Sequence, residues 1–322
     1  MVRARASGQE RRVSRAVRFD HYGPVEVLDV VDVSRPTPDR GRVLVEVVAS
    51  AINPGEISIR EGAMHERSPT SFPSGQGSDL AGRVAGVGDE VAGFEVGDEV
   101  IGWTDERAAQ AEYVSVPAGQ LTARPAGVPW EQAASLYVAG CTAYAMVDAV
   151  APRSGETVAV AGAAGGVGSI AVQLLRARGA RVLGIAGPSN DDWLASVGAE
   201  PVNYGDELAD RLQDAAPEGI AALLDAYGGG YVEQAIDLGV PLGRIVTIAD
   251  FEAAERLGVR TVFGHAVATP SMLAELAEMI ARGELTIPIA ATYPLEGVRA
   301  AYDRVAERHT RGKIVLRVGQ SG

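Results

Sequence analysis

Apolar and polar positions give this chain two textures. Over residues 16–129, short alternating runs at 16–19, 25–33 and 43–49 are cut by turn signals: Tyr22-Gly23-Pro24, Arg35-Pro36-Thr37-Pro38-Asp39 and Asn53-Pro54-Gly55. Residues 82–102 repeat short strands and glycine turns, which predicts a small irregular barrel without a long helix. From Trp130 the period lengthens, and residues 130–150 read as a helix interrupted near Gly140. Strand candidates at 158–161, 182–186, 221–226, 244–249 and 260–263 then alternate with helical patterns at 191–197, 232–239 and 272–281. Such alternation predicts an α/β unit with a doubly wound parallel sheet. A helix over 297–309 and a strand over 313–318 close the chain, the strand returning to the first half. The division expected is a disordered extension over 1–14, a β-barrel unit over 15–135 and 285–322, and the parallel-sheet unit over 136–284.

The parallel-sheet unit opens on a glycine-rich turn. The run Val158-Ala159-Val160-Ala161 leads into Gly162-Ala163-Ala164-Gly165-Gly166-Val167-Gly168. After it, Val167, Ile170, Ala171, Leu174 and Leu175 recur at helical spacing, with Gly179 at the C-cap position. Strand, glycine turn, helix and second strand span about 30 residues, the size of a dinucleotide-binding βαβ unit. Glycines there let the backbone approach a pyrophosphate held on the amides of a helix N-terminus. An alanine stands where the first glycine of G-x-G-x-x-G falls, so the flanking elements carry the assignment.

Composition removes several alternatives. With 322 residues, 47% hydrophobic and 22% charged, the chain suits one large or two ordinary globular domains. A net charge of −13 argues against nucleic acid and anionic membrane as partners. No apolar run nears the length of a membrane span. Cys141 is the single cysteine, which excludes an internal disulfide and fits a cytoplasmic protein. Arg3, Arg5, Arg11 and Arg12 lie among small polar residues without the apolar core of a secretory signal.

Several motifs in order resemble the medium-chain dehydrogenase/reductase superfamily. They are Ala51-Ile52-Asn53-Pro54-Gly55-Glu56, Gly77-Ser78-Asp79-Leu80-Ala81-Gly82, Gly97-Asp98-Glu99-Val100, Cys141-Thr142-Ala143-Tyr144, the glycine turn, Val197-Gly198-Ala199 and Arg311-Gly312-Lys313-Ile314-Val315-Leu316. The branch resembled is the zinc-independent quinone oxidoreductase and enoyl reductase group. The resemblance implies a GroES-like β-barrel catalytic domain, a Rossmann domain, a cleft between them, a small-molecule enone or quinone substrate and a homodimer. A cysteine opens the catalytic zinc site of alcohol-dehydrogenase relatives where this chain has Ala51-Ile52-Asn53-Pro54, and their Gly-His-Glu is Gly77-Ser78-Asp79 here. One cysteine cannot form a four-thiolate site, and the four histidines show no ligand spacing. No metal is expected. Without a Lewis acid, a conjugated double bond or quinone is a more accessible hydride acceptor than a plain ketone, because donors need only hold enolate charge until a proton arrives.

The resemblance offers Asn53 as a donor to substrate, though it equally serves as the cap of its own turn. Thr142 matches a threonine lying against the nicotinamide; its alternative is a hydroxyl bonded to the preceding helical turn. Tyr137 and Tyr144 flank the cleft helix as substitute proton donors, His65 lies in a polar loop, and Ser58 or Ile57 stands where some relatives have tyrosine. A lysine–aspartate donor pair has no counterpart at Pro188-Ser189-Asn190-Asp191-Asp192, leaving bound water as a substitute. An acid about 20 residues past the glycines would select NAD. This chain has Gly187, Pro188, Ser189 and Asn190 there, and Ser189 with Asp192 reads as a capping box. Ser189, Asn190 and Tyr204 match positions near a 2′-phosphate, although the usual basic residue is missing, and NADP(H) is the expected cofactor, with Gly187 also among the residues that hold it. The shell is completed by Ala163, Ala164, Gly165, Gly166, Val167, Gly168, Tyr227, Gly228, Ile248, Ala249, Phe263 and Lys313, where Lys313 alternatively is a surface strand residue. Two other functions remain open: a trans-acting enoyl reductase or tailoring enzyme of polyketide-type biosynthesis, and a nucleotide-binding member without turnover.

Overall fold

The computed structural model describes residues 13–66 and 68–319. The extension predicted over residues 1–12 lies outside the described residues. Val13 and Ser14, assigned to it from sequence, belong to a strand, Val13–Phe19, which pairs antiparallel with Asp29–Ser34 and Ser74–Gly75.

The barrel unit is built on Arg42–Ile52, an eleven-residue strand whose apolar run is buried on both sides except at Glu46. It pairs with Asp79–Val87, Tyr113–Pro117 and Lys313–Arg317. Ile289–Pro294, Glu99–Trp103 and Leu121–Ala123 complete the sheet. Leu80, Ile52, Tyr302 and Leu316 are among the closed side chains of its core; burying each such side chain contributes about 1.5–3 kcal/mol.

The second unit is a six-stranded parallel sheet among the described residues. Its spatial order is Glu200–Asn203, Arg181–Ala186, Thr157–Ala161, Ala222–Asp225, Ile245–Thr247 and Arg260–Thr261. Numbered along the chain this is 3-2-1-4-5-6, the doubly wound Rossmann order, whose ligand crevice opens at the carboxyl ends of the first and fourth strands. Helices cover both faces, and one apolar core runs from this sheet into the barrel through Ala49, Ala81, Trp103 and Val315. The fold is α/β, with a GroES-like barrel beside a Rossmann-type sheet.

Two details of the parallel-sheet half also differ from the sequence reading. Residues 130–150 form a short helix, Trp130–Ala133, a π-turn, Leu136–Gly140, and a second helix, Cys141–Val150. A Cβ on Gly140 would stand 2.9 Å from Leu276 Cδ1, so this bend lets a neighbouring helix approach. Nor does Ser189 form a capping box with Asp192. Pro188 starts a 3₁₀ turn, Pro188–Asn190, that makes Asn190 the N-cap of Asp191–Ser196, without a side-chain cap bond. Among the described residues no helix is long and apolar enough to cross a membrane.

Candidate active site

Residues 162–168 form a closed turn at the crevice. Gly162 takes φ +69°, and its carbonyl accepts the Gly165 amide at 2.9 Å. Gly165 caps the helix Gly166–Ala177. Ala163 and Ala164 are buried under the turn, and the Ala163 amide donates to Ile185 O at 3.1 Å. A Cβ on Gly168 would lie 2.1 Å from Gly162 O. Only glycine therefore allows the helix to start directly beneath the turn. Gly166, Val167 and Gly168 occupy its first turn, where helix geometry leaves amides without intrahelical partners, at the positive end of the dipole.

The opposite wall is organised by Asp225, which the sequence reading missed. This fully buried carboxylate ends the fourth strand in the crevice order, and it accepts the amides of Tyr227 (3.0 Å) and Gly228 (2.8 Å). Its other oxygen accepts the Thr247 hydroxyl at 2.7 Å, and that hydroxyl accepts the Ala249 amide at 3.1 Å. The Ile248 amide donates to Asp225 O. One acid thus fixes Tyr227, Gly228, Ile248 and Ala249 together. An acid closing an apolar run just before Tyr227-Gly228-Gly229-Gly230 is a sequence signal for it. Arg308 was also missed: from the barrel unit it lies over the Tyr227 ring, 4.4 Å from the centroid, and donates to Tyr227 O.

Gly187, Ser189, Asn190 and Tyr204 gather at the end of Arg181–Ala186. Ser189 and Tyr204 are exposed, and the Asn190 side chain donates to Gly187 O. A Cβ on Gly187 would lie 3.2 Å from the Tyr204 hydroxyl, so the phenol lies across the glycine. Asp191 accepts from Asn203. The guanidinium of Arg211 holds Asn203 O and Gly205 O on either side of Tyr204, bringing a cation to a region where the local sequence offered none.

On the barrel side Asn53 sits in a closed polar cluster. Its side-chain Nδ2 donates to Asp79 Oδ2 (2.7 Å) and Glu56 Oε1 (3.0 Å), and its Oδ1 accepts from Lys313 Nζ. Both amide hydrogens are committed, so Asn53 has none left for a substrate oxygen; its side chain braces Asp79, Glu56 and Lys313. Lys313 is buried, not a surface residue, and its ammonium also donates to Ile52 O at 2.8 Å. It touches the glycine turn only with its stem. Asp79 accepts the Val138 amide at 2.9 Å, and Tyr302 donates to Glu56 at 2.6 Å. Burial raises the pKa of both Glu56 and Asp79 and lowers that of Lys313.

Tyr137, in the π-turn, stacks on Trp103 with centroids 5.0 Å apart and planes 3° apart. Burial first, then nearby Asp105 and Asp79, pushes its phenol up, so it keeps its proton at neutral pH. Thr142 lies one turn further on, packed against Gly264, where a Cβ would stand 2.6 Å from the Thr142 hydroxyl oxygen. Phe263, partly exposed, stacks on Phe251. Tyr144 lies under Arg178 and along a groove with Phe263. His65 is tied to the Tyr22 hydroxyl at 3.0 Å, which pins its loop. Among the described residues no group of three or more His, Cys, Asp or Glu is arranged to hold a metal ion.

A GroES-like barrel facing a glycine turn at the switch point of a Rossmann sheet is the architecture of a medium-chain dehydrogenase/reductase. Two family models match: the alcohol dehydrogenase GroES-like domain over residues 39–151, and a zinc-binding dehydrogenase domain over residues 197–316. The rat quinone oxidoreductase is 30% identical over 330 residues, covering 96% of this chain and 98% of that protein. The structure of a Coxiella burnetii quinone oxidoreductase superposes with a TM-score of 0.83 at 27% identity, covering 96% of this chain and 100% of that one. An Escherichia coli quinone oxidoreductase complexed with NADPH gives 0.83 at 26% identity, covering 94% and 99%. The chain belongs to the zinc-independent quinone oxidoreductase branch of the medium-chain dehydrogenase/reductase superfamily.

Proposed function

We propose that the chain is a cytoplasmic, homodimeric NADPH-dependent reductase that passes hydride, without a metal, to a quinone or to the conjugated double bond of an enone or enoyl compound. The observation that carries this reading is the glycine turn, where absent Cβ atoms leave a cradle over the first amides of Gly166–Ala177. Quinone oxidoreductase relatives, one of them solved with NADPH, support the same reading.

In this reading the amides of Gly166, Val167 and Gly168 hold the pyrophosphate. Ser189, Asn190 and Tyr204 hold the 2′-phosphate with neutral donors, while the Asp191 carboxylate is bonded to Asn203 and Arg211 adds positive charge nearby. Tyr227, Gly228, Ile248 and Ala249 wall the crevice, and Arg308 closes it from the barrel side. Reduced nicotinamide, when bound, supplies the hydride. Thr142 and Tyr137 then serve the carbonyl oxygen of the acceptor as neutral hydroxyl donors, because a protonated phenol stabilises enolate charge without having to be regenerated. With Asn53 committed to Asp79 and Glu56, the final proton comes from water.

Titration with NADPH and NADH by tryptophan fluorescence, followed by nucleotide consumption with benzoquinone or methyl vinyl ketone, tests the proposal. Tighter binding of NADPH with acceptor-dependent oxidation is expected. Failure to bind either nucleotide overturns the reading, and preference for NADH overturns the roles of Ser189, Asn190 and Tyr204. Binding without turnover over a wide range of acceptors would leave a nucleotide-binding family member without catalysis.

A further inference from the structure

We propose that Lys313 is a positioning residue that locks the glycine turn to the segment carrying Asn53. The inference rests on reading residues 162–168 as the nucleotide site. Lys313 follows Gly312, whose amide donates to Ala164 O at 2.8 Å and which forms a parallel bridge with Gly165. The lysine stem then passes under the turn: a Cβ on Gly166 would stand 2.8 Å from Lys313 Cδ. Its ammonium ends inside the barrel unit, on Ile52 O and Asn53 Oδ1.

The orientation of the Asn53 amide follows from its neighbours. An ammonium only donates and an ionised carboxylate only accepts, so the amide oxygen must face Lys313 and its nitrogen must face Asp79 and Glu56. Asp79 carries the connection onward to the Val138 amide in the π-turn that precedes Thr142. Chain segments distant in sequence therefore meet through one cation and one amide: the glycine turn, the end of Arg42–Ile52, the start of Asp79–Val87 and the π-turn. The ammonium lies among the buried acids Glu56 and Asp79. Without it they share the site with no cation, and the amide loses the partner that sets its direction.

The test is hydrogen–deuterium exchange on the nucleotide-free full chain, with NADPH titration alongside. Lys313→Met is expected to raise exchange about tenfold or more in peptides over both 162–170 and 52–57, as one charge-assisted buried bond predicts. Asp79→Asn does not touch the glycine turn, yet it is expected to raise exchange over 162–170 as well. NADPH affinity falls in both variants. If Lys313→Met does not fold, Lys313→Gln, which keeps a donor without the charge, is held to the same two-segment result. Changes confined to the neighbourhood of each substitution, or absent from the glycine turn, overturn the proposal. If the wild-type chain binds no NADPH but the exchange changes travel as described, the nucleotide reading fails and the lock stands.

Discussion

The sharpest test of the glycine turn compares two substitutions three residues apart, Gly168→Ala and Gly165→Ala. The new Cβ at 168 would stand 2.1 Å from Gly162 O, 2.8 Å from Gly162 C and 2.9 Å from Ala163 Cα, all backbone atoms. Carbon contacts settle near 3.5–4.0 Å, so the turn must open by about 1 Å or more. Overpacking of this kind costs about 1–3 kcal/mol, and losing the Gly165–Gly162 turn bond adds about 1 kcal/mol. The Cβ at 165 meets the same carbonyl at 3.2 Å, with φ at −74°, and replaces one N-cap residue by another. That change costs under about 1 kcal/mol. Urea unfolding is therefore expected to separate the two variants by about 2 kcal/mol, and opening the turn misaligns its amides enough to weaken NADPH about a hundredfold, or about 2.7 kcal/mol. If Gly168→Ala binds NADPH within twofold of wild type, or Gly165→Ala is equally damaging, the argument for the cradle is wrong.

Other expectations follow from the same geometry. Ser189→Asp places a carboxylate where the 2′-phosphate is proposed to lie and is expected to cut NADPH affinity about tenfold or more while sparing NADH, as read by paired titrations. Arg308→Ala removes the contact over Tyr227 and is expected to weaken NADPH several-fold while shifting stability by less than about 1 kcal/mol, because the arginine is exposed. Burial first, and then Asp79, pushes the Cys141 thiol from 9.0 to about 12. Thiolate grows with pH, so between neutrality and mild alkali the native chain should react with iodoacetamide roughly a thousand times more slowly than the unfolded chain. Rapid labelling of folded protein at pH 8 would contradict that burial.

How much of this was legible beforehand varied with the range of the interactions. The glycine turn, its helix and the parallel sheet were readable because strand and helix periods are local. So was the return of the final strand, though only its partner Arg42–Ile52 shows what it returns to. The short helix Pro54–Arg60 went unread as a helix, since seven residues carry too little periodicity, although Asn53-Pro54-Gly55-Glu56 holds a start signal. The motif around Asn53 is compatible with a substrate donor as well as a turn cap because its partners lie outside the motif. Asp79 and Lys313, far away in sequence, consume its hydrogen-bonding capacity. Arg211 and Arg308 were missed for a related reason: each reaches the crevice from an element whose place only the fold determines.

The barrel unit is also a statement about the order in which the chain can complete itself during synthesis. The whole parallel sheet, from Thr157 to Thr261, leaves the ribosome before the strand Lys313–Arg317 exists. Until that strand arrives, Ala49, Ser50, Ala51 and Ile52 present an open edge where Arg317, Leu316, Val315 and Ile314 will pair. A nascent chain stalled at residue 312 would therefore carry a finished Rossmann-type sheet beside a barrel with one side unzipped. Exposed strand edges recruit other strands, so between residues 261 and 317 the barrel edge at 49–52 is open to mispairing.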